Sequence, residues 1–424
     1  MYHHAMRSAI ARTASWSGSI RFTLVLLAAL ALLALLALLL DWDRPGPDMA
    51  PARVGVLVSL TGTMAVSEAP LAAAAALAID EINAEGGIAG RRLEIRVADG
   101  RSDPAVFAAE AERLIVEDGV SVLVGCWTSA CRKAVKPVVE KHRHLLIYPL
   151  QYEGLEQSPN ILYTGSAPNQ QILPGTRWAL NEFGPRAYLL GSDYVFPRVA
   201  QRMQAELIES NGGTVVGQRR LPLGTADMGA VIADIRRLRP DVLLNTLNGD
   251  SNAAFIAALA EAELADLPVL SFSIAEPEMT AWGGGRLARH YAVWSYFQSI
   301  PDPLNQRFVA AFKARAGANA QTSDPIEAVY VGLRLWASAA NVLGTVDPKR
   351  VNSSTLLRQT VSAPSGVAAI DANTRHLWKS LRIGRVGANG QFTPVYVSPR
   401  PLRPAPWPSH RHPEEWAQIV EATP

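Results

Sequence analysis

Most of the chain alternates short apolar runs, rich in β-branched residues, with longer stretches in which apolar positions recur at helical spacing. The short runs predict buried strands, and the longer stretches predict amphipathic helices. Their alternation is typical of βα units built around parallel sheets. The strand-forming runs are VGVLVSL (54–60), LEIRVAD (93–99), VSVLVGC (120–126), LLIYP (145–149), AYLLGSD (187–193), TVVGQRRL (214–221), DVLLNTL (241–247), VLSFSI (269–274) and YAVWSYF (291–297).

Proline and glycine signals place helices between these strands. The stretches over 70–84, 104–117 and 197–210 each begin with proline and are followed closely by glycine, as helix ends often are. After residue 300 the order changes to helices at 303–316, 324–342 and 352–360, then strands at 366–371, 378–386 and 392–398. We therefore predict an α/β fold of two lobes with parallel sheets that share this late tail. The Pro-rich residues 399–424 are predicted to form a strap over the surface.

The N-terminal segment carries its own apolar run. Residues 22–40 contain no charge and have about the length that a roughly 30 Å hydrocarbon layer requires. Three arginines and no acid precede the run, so the basic region 1–21 is predicted to be cytoplasmic, with a linker over 41–52 and the body on the periplasmic side. The run thus predicts a transmembrane anchor in the inner membrane. A cleaved signal peptide and a buried core helix remain alternatives, although signal peptides have shorter apolar regions of about 7 to 15 residues.

Composition excludes several functional classes. The 424 residues suggest two or three domains, and a formal charge of only +2 argues against nucleic-acid binding, which needs a concentrated basic face. Neither GxGxxG after the first strand nor GxxxxGK[ST], HExxH or GxSxG occurs, and no nucleophile–base pair is evident. The sequence predicts no enzyme, no metal site and no cofactor.

The two cysteines, Cys126 and Cys131, lie where a strand runs into the next helix. We expect packed thiols, because this geometry often places the two Cα atoms too far apart for a disulfide. A short-loop disulfide and a reactive thiol remain alternatives.

Polar and aromatic residues follow several strands at their carboxyl ends. An open parallel sheet collects ligands in the crevice beyond those ends, so these side chains suit binding better than catalysis. Single residues also have simpler explanations, since Ser129 and Ser251 could be helix caps and Trp127 and Tyr194 could be lobe packing. The residues concerned are Thr61, Thr63, Ser67, Glu68, Trp127, Thr128, Ser129, Gln151, Tyr152, Glu153, Tyr194, Phe196, Asn248, Asp250, Ser251 and Glu276.

Long segments of the body carry a family resemblance. Over 53–407 the chain resembles the periplasmic binding protein type I superfamily, and within it the urea-binding proteins of urea ABC transporters and the related short-chain amide sensor. The matching segments are SLTGTMAVSE (59–68), VGCWTSACRKAVKPV (124–138), YPLQYEGLEQSPNILYTGSAPNQQ (148–171), GSDYVFPR (191–198), NTLNGDSNAAF (245–255), YFQSI (296–300), TSDPIEAVY (322–330), HLWKSLRIG (376–384) and VSPRPLRPAPW (397–407).

The resemblance implies a Venus-flytrap of two Rossmann-like lobes joined by three crossings near 166–169, 294–299 and 360–366. Lobe 1 would then comprise 53–167 plus 298–362, and lobe 2 would comprise 168–297 plus 363–398. The implied ligand-binding residues are Trp127, Ser129, Tyr148, Leu150, Tyr194 and Phe196, with Glu276 as a weaker addition.

Three positions depart from the amide sensor. That sensor has tyrosine at the position of Trp127 and threonine at the position of Leu150, and both residues here follow the urea-binding proteins. Cys131 stands where serine is expected.

Urea is planar and uncharged, with several N–H donors and one carbonyl, so its site needs acceptors, one or two donors and flat apolar walls.

The sequence therefore predicts a solute-binding protein that delivers urea or a short-chain amide to an ABC permease. A membrane-tethered sensing module for a kinase or other regulator is the alternative. A branched-chain amino acid binder is a rival that Glu276 and Asp250 keep open, since an amino acid needs an acid in the crevice.

Overall fold

The computed structural model describes residues 23, 25–33, 50–283, 285, 287–409 and 411–421. The chain divides into two compact units, residues 1–49 and 50–424. In the first unit, residues 23 and 25–33 are helical and exposed. The predicted region 1–21, the rest of the predicted anchor 22–40 and most of the linker lie outside the described residues. Within the described part of the chain, no helix combines the length and apolar character needed to cross a bilayer.

The second unit contains two sheets. One has eight strands in the order β11-β12-β13-β5-β4-β3-β1-β2, and the other has seven in the order β15-β14-β10-β9-β8-β6-β7. The strands are β1 Ala52–Val58, β2 Leu93–Asp99, β3 Val122–Gly125, β4 Leu146–Tyr148, β5 Ile161–Tyr163, β6 Arg186–Ser192, β7 Thr214–Leu221, β8 Val242–Thr246, β9 Val269–Ser271, β10 His290–Trp294, β11 Thr360–Ala363, β12 Gly366–Asp371, β13 His376–Leu377, β14 Arg382–Val386 and β15 Phe392–Val397.

Helices cover both sheets. Several begin as their sequences predict, with Asp103 and Asp302 each accepting a backbone N–H one residue before a proline-led helix. The helices are α1 Ala65–Ala84, α2 Pro104–Val116, α3 Ser129–Lys141, α4 Ile172–Phe183, α5 Val195–Ser210, α6 Gly229–Leu238, α7 Ser251–Glu261, α8 Glu276–Ala281, α9 Pro303–Ala316, α10 Asp324–Leu343, α11 Pro348–Val351, α12 Ser354–Leu357 and α13 Pro413–Glu421.

The prediction of parallel sheets is right for β1–β5 and β6–β10 and wrong for the late strands. β12 pairs antiparallel with β11 and with β13, and β14 pairs antiparallel with β10 and β15. The connections from β11 to β12, from β12 to β13 and from β14 to β15 are too short for a parallel crossover, so the chain returns there as hairpins. Both sheets are therefore mixed.

The third crossing does not lie at 360–366. Strands β11, β12 and β13 remain in the first sheet, where His376 pairs with Tyr163 of β5. The chain reaches the second sheet only between Leu377 and Arg382. Residues 363–377 thus belong with the first lobe, because their hairpins extend its sheet beyond β5.

Apolar residues of the second sheet alternate between its two faces. Tyr188 and Leu190 of β6 join the core on one face, and Ala187 and Leu189 join the core on the other. Successive side chains of a strand point to opposite sides, so one strand serves both layers of helices. This packing fixes the carboxyl ends of the strands, which carry the candidate site.

Residues 399–421, which we call the strap, touch both lobes. The Leu155 N–H of the first lobe donates to Pro406 O at 2.9 Å, and Arg411 pairs with Glu206 of α5 at 2.6 Å. Trp416 on α13 is fully buried against a cluster that includes Phe196. The strap therefore runs from one lobe to the other.

Candidate functional site

The two lobes meet across a crevice at the carboxyl ends of their parallel strands. Trp127, just after β3, donates its indole N–H to Asn248 Oδ1 at 3.2 Å, and Asn248 follows β8 in the other lobe. The Gln151 Nε2 group donates to Phe272 O at 2.9 Å in the same way. The Asp250 N–H donates to Thr63 O at 3.2 Å. The lobes are thus closed upon each other.

Aromatic residues from both lobes lie along this crevice. Tyr148 is fully buried and donates its hydroxyl to Trp127 O at 2.8 Å. Tyr194 faces them from the second lobe at the start of α5. Burial raises the pKa of Tyr194 well above its usual range, and nearby Tyr148 and Glu153 add to the shift. The structure therefore brings Trp127, Tyr148 and Tyr194 to one place.

Ser129 is the first residue of α3, and it is not the cap of that helix. Thr128 is the cap and accepts the Cys131 N–H at 3.1 Å. The Ser129 hydroxyl donates to Glu153 Oε2 at 2.5 Å and accepts from Arg132 Nη1 at 2.9 Å. The first backbone N–H groups of a helix have no intrahelical acceptor, so those of Ser129 and Ala130 are available at the crevice edge.

Behind Ser129 lies a buried ionic group, which we call the crevice cluster: Ser129, Arg132, Glu153 and Glu156. Arg132 is 0% exposed and pairs with Glu153 at 2.8 Å and with Glu156 at 2.9 Å. Its guanidinium carbon also lies 4.5 Å from the Tyr152 ring centroid. Each charged side chain of the cluster thus has an opposite charge beside it.

The charges of the crevice cluster stabilise one another. Burial lowers the pKa of the Arg132 guanidinium, but Glu156 and Glu153 outweigh it and raise that pKa well above its usual range. Burial raises the pKa of Glu156, yet Arg132 and the lysines nearby bring it below its ordinary value. Sequence reasoning missed Arg132. The signal was its spacing of three residues from Ser129, which puts both on one face of α3.

Two predicted site residues have supporting positions instead. Leu150 is fully buried in the first-lobe core, and the polar contact across the crevice comes from its neighbour Gln151. Phe196 is buried beneath Tyr194, with ring centroids 6.4 Å apart. Phe196 therefore backs the wall that Tyr194 forms.

Glu276 lies beside the second crossing. Its Oε1 accepts the Gln298 N–H at 2.8 Å, and its buried Oε2 has no hydrogen-bond partner among the described residues. Burial raises the pKa of Glu276 to about 8. Sequence reasoning missed Glu278, which points toward the first lobe. Burial raises the pKa of Glu278, and a hydrogen bond with Ser67 opposes that rise. The crevice acid of this segment is therefore Glu278.

A second buried ionic group, which we call the hinge cluster, joins the crossings: Ser295, Asp324, Glu327, Lys379 and Arg382. Lys379 Nζ donates to Ser295 Oγ at 2.8 Å and lies 3.7 Å from Asp324 Oδ1. Ser295 donates both its N–H and its hydroxyl to Asp324 Oδ2. A cavity of about 130 Å³ remains between Ser295, Glu327 and Lys379.

Cys126 and Cys131 form a disulfide, so the expectation of packed thiols was wrong. The end of β3 leads directly into the first turn of α3, and this brings the two Cα atoms to 6.4 Å. That separation lies within the range of about 4.4–6.8 Å that a disulfide allows. The described part of the chain contains no group of three or more His, Cys, Asp or Glu side chains placed to hold a metal ion.

Comparison with known proteins agrees with this architecture. The family described as periplasmic binding protein domain matches residues 52–413. The Leu/Ile/Val-binding protein homolog 6 of Brucella melitensis is 24% identical over 349 residues, which cover 79% of this chain and 87% of that protein. A protein named limonene hydroxylase from Geobacillus stearothermophilus is 32% identical over 146 residues, and the chain spans only 26% of its length.

Solved structures show the same fold. A solute binding protein of an ABC transporter from R. palustris, in complex with 4-hydroxybenzoate, superposes with a TM-score of 0.73 at 23% identity, covering 82% of this chain and 97% of that one. A branched-chain amino acid transporter substrate binding protein from Streptococcus pneumoniae, in complex with isoleucine, gives 0.71 at 19% identity, covering 84% and 100%. The chain belongs to the family described as periplasmic binding protein domain.

Proposed function

We propose that this protein captures a small neutral amide, urea or a short-chain amide, and delivers it to an ABC permease on the periplasmic side of the inner membrane. The observation that carries the proposal is the crevice cluster. Its only cation, Arg132, is buried between two carboxylates of the same lobe. The cluster therefore offers no free cation to a carboxylate ligand.

The groups around the crevice match the chemistry of an amide. The N–H groups at the start of α3 supply donors for a carbonyl oxygen, and the remaining lone pair of Ser129 Oγ supplies an acceptor for an amide N–H. Trp127, Tyr148 and Tyr194 supply flat faces for a planar molecule. Ligands of this class fit without any change in the charge pairing.

A branched-chain amino acid is the second candidate. It is favoured by the similarity to the Brucella Leu/Ile/Val-binding protein homolog and by the crevice acid Glu278, which could receive an ammonium group. Against it, isoleucine and 4-hydroxybenzoate both carry a carboxylate, and Arg132 is already engaged by Glu153 and Glu156. Nothing in the described residues favours the sensing module, because that alternative rested on the anchor.

Titration calorimetry on the full chain tests the proposal with urea, acetamide and formamide against leucine, isoleucine and 4-hydroxybenzoate. At least one amide should bind and the three carboxylates should give no heat. Tight binding of leucine, with silence for every amide, would reverse the assignment.

Two variants extend this test to the site. Ser129→Ala should weaken amide binding by roughly 5- to 150-fold, since a lost hydrogen bond to a buried partner costs about 1–3 kcal/mol. Trp127→Ala should weaken it at least as much because it removes a wall. Ser158→Ala is the matched control, since Ser158 also donates to a glutamate, Glu140, at 2.7 Å but away from the crevice. It should leave the affinity unchanged.

A further inference from the structure

The Ser129 hydroxyl has its hydrogen committed inside the protein. A serine hydroxyl has one hydrogen and two lone pairs, and a guanidinium can only donate. Ser129 Oγ must therefore accept from Arg132 at 2.9 Å, and its hydrogen goes to Glu153 Oε2 at 2.5 Å. Only one lone pair of Ser129 is left for a ligand.

Glu153 cannot easily release this hydrogen bond. Its Oε1 is held by Arg132 Nη2 at 2.8 Å, and its side chain is only 1% exposed. Arg132 is fixed in turn by Glu156 and by the Tyr152 ring. Rotating the Ser129 hydroxyl toward the crevice would leave a buried carboxylate oxygen unpaired, which is costly.

We propose that Glu153 is the specificity-determining residue of the site: it turns the Ser129 hydroxyl away from the ligand, so that this position selects an N–H donor over a carboxylate of the same shape. The inference rests on the proposed function and deepens it. An amide N–H donates to the remaining lone pair of Ser129. A carboxylate oxygen there meets that lone pair with no hydrogen between the two oxygens, and is repelled.

Acetamide and acetate are a matched pair for testing this, since they share size and planarity and differ in the N–H donors and the charge. The measurement is the ratio of the acetate Kd to the acetamide Kd, by calorimetry on the full chain. In Glu153→Gln, Arg132 should still donate to the side-chain oxygen, which is now the amide oxygen of the glutamine. The glutamine NH₂ then faces Ser129 and donates to its Oγ, so the Ser129 hydroxyl hydrogen is free to point toward the ligand. The ratio should fall at least about tenfold, because the contact between acetate and Ser129 changes from a repulsion into a hydrogen bond.

Two further variants separate hydroxyl direction from charge. Glu156→Gln loses the same charge beside Arg132 but does not touch Ser129, so its ratio should stay within about threefold of the wild-type value. Glu153→Asp keeps the charge and withdraws the carboxylate by one methylene, so its ratio should fall as in Glu153→Gln. Melting temperatures show which variants are folded. One folded Glu153 variant, either Glu153→Gln or Glu153→Asp, is sufficient for the test.

The outcomes are distinct. An equal fall in Glu156→Gln and Glu153→Gln assigns the effect to charge and overturns the inference, as does an unchanged ratio in a folded Glu153 variant. In a Ser129→Ala background, Glu153→Gln should have no further effect, and a persisting effect also overturns it. A wild-type protein that binds none of urea, acetamide and formamide contradicts the proposed function itself, and the inference falls with it.

Discussion

The crevice cluster and the hinge cluster are both buried and ionic, yet they are built differently. The crevice cluster takes its residues from α3 and the loop after β4, all in one lobe, and its cation Arg132 bridges both of its carboxylates. The hinge cluster collects Ser295, Asp324 and Lys379 from segments on both sides of the crossings. It keeps a cavity and an Asp324 Oδ1 without a hydrogen-bond partner among the described residues.

This difference assigns the two clusters to different tasks. A cluster within one lobe moves with that lobe as a rigid body, so it can hold Ser129 in one geometry whether the lobes are open or closed. A cluster that spans the crossings must change its contacts when the lobes move, and a cavity with an incompletely paired acid permits this. The first cluster should therefore affect folding and selectivity, and the second should affect the rate of opening.

The largest effect is expected from Arg132→Met. This change leaves Glu153 and Glu156 buried without their cation, and breaking a buried ion pair from one side costs about 3–5 kcal/mol. Denaturation by guanidinium chloride should show a loss of this size in the free energy of unfolding. Arg334→Met, which removes a surface pair with Glu85, is the control and should cost at most about 1 kcal/mol. Similar losses in the two variants would show that the crevice cluster is not structurally critical.

A smaller effect is expected from Lys379→Met. Asp324 keeps its two hydrogen bonds from Ser295, and water can enter the cavity, so the loss should be about 1–3 kcal/mol. Stopped-flow measurement of amide release should show a changed dissociation rate. The ratio of acetate to acetamide affinity should be unchanged, and a change in that ratio would contradict the division of tasks.

The smallest effect concerns pH. Burial raises the pKa of Glu276 from 4.5 to about 8, so folded Glu276 binds its proton more tightly than the unfolded chain does. Its contribution to stability is present below about pH 4.5 and is lost as the pH rises toward 8. Glu276→Gln should make the melting temperature less dependent on pH over this range. Burial also raises the pKa of Glu68, Glu278 and Glu327, so part of the slope should remain in this variant and should fall further when Glu68→Gln is added.

Local pattern was enough to predict most strands and helices, because each βα unit carries its own apolar periodicity and end signals. The prediction of 93–99 and 214–221 as strands agrees with β2 and β7 residue for residue. The third crossing was misplaced because a crossing has no periodicity of its own. The run over 378–386 reads as one strand, whereas only Arg382–Val386 belongs to the second sheet.

The site was harder to predict than the fold. Aromatic residues after strands are visible in the sequence, and Trp127, Tyr148 and Tyr194 do meet. Arg132 looks like a solvated helix residue, because its burial depends on carboxylates more than twenty positions away. The Cys126–Cys131 disulfide depends on a distance that spacing alone does not determine.

The strap affects the order in which parts of the molecule can fold. Trp416 fills the same apolar cluster as Phe196, although the two residues stand more than two hundred positions apart in the chain. The wall behind Tyr194 therefore stays incomplete during synthesis until the chain has been made as far as Trp416. The family match stops at residue 413, before Trp416, whereas the last described helix continues to Glu421.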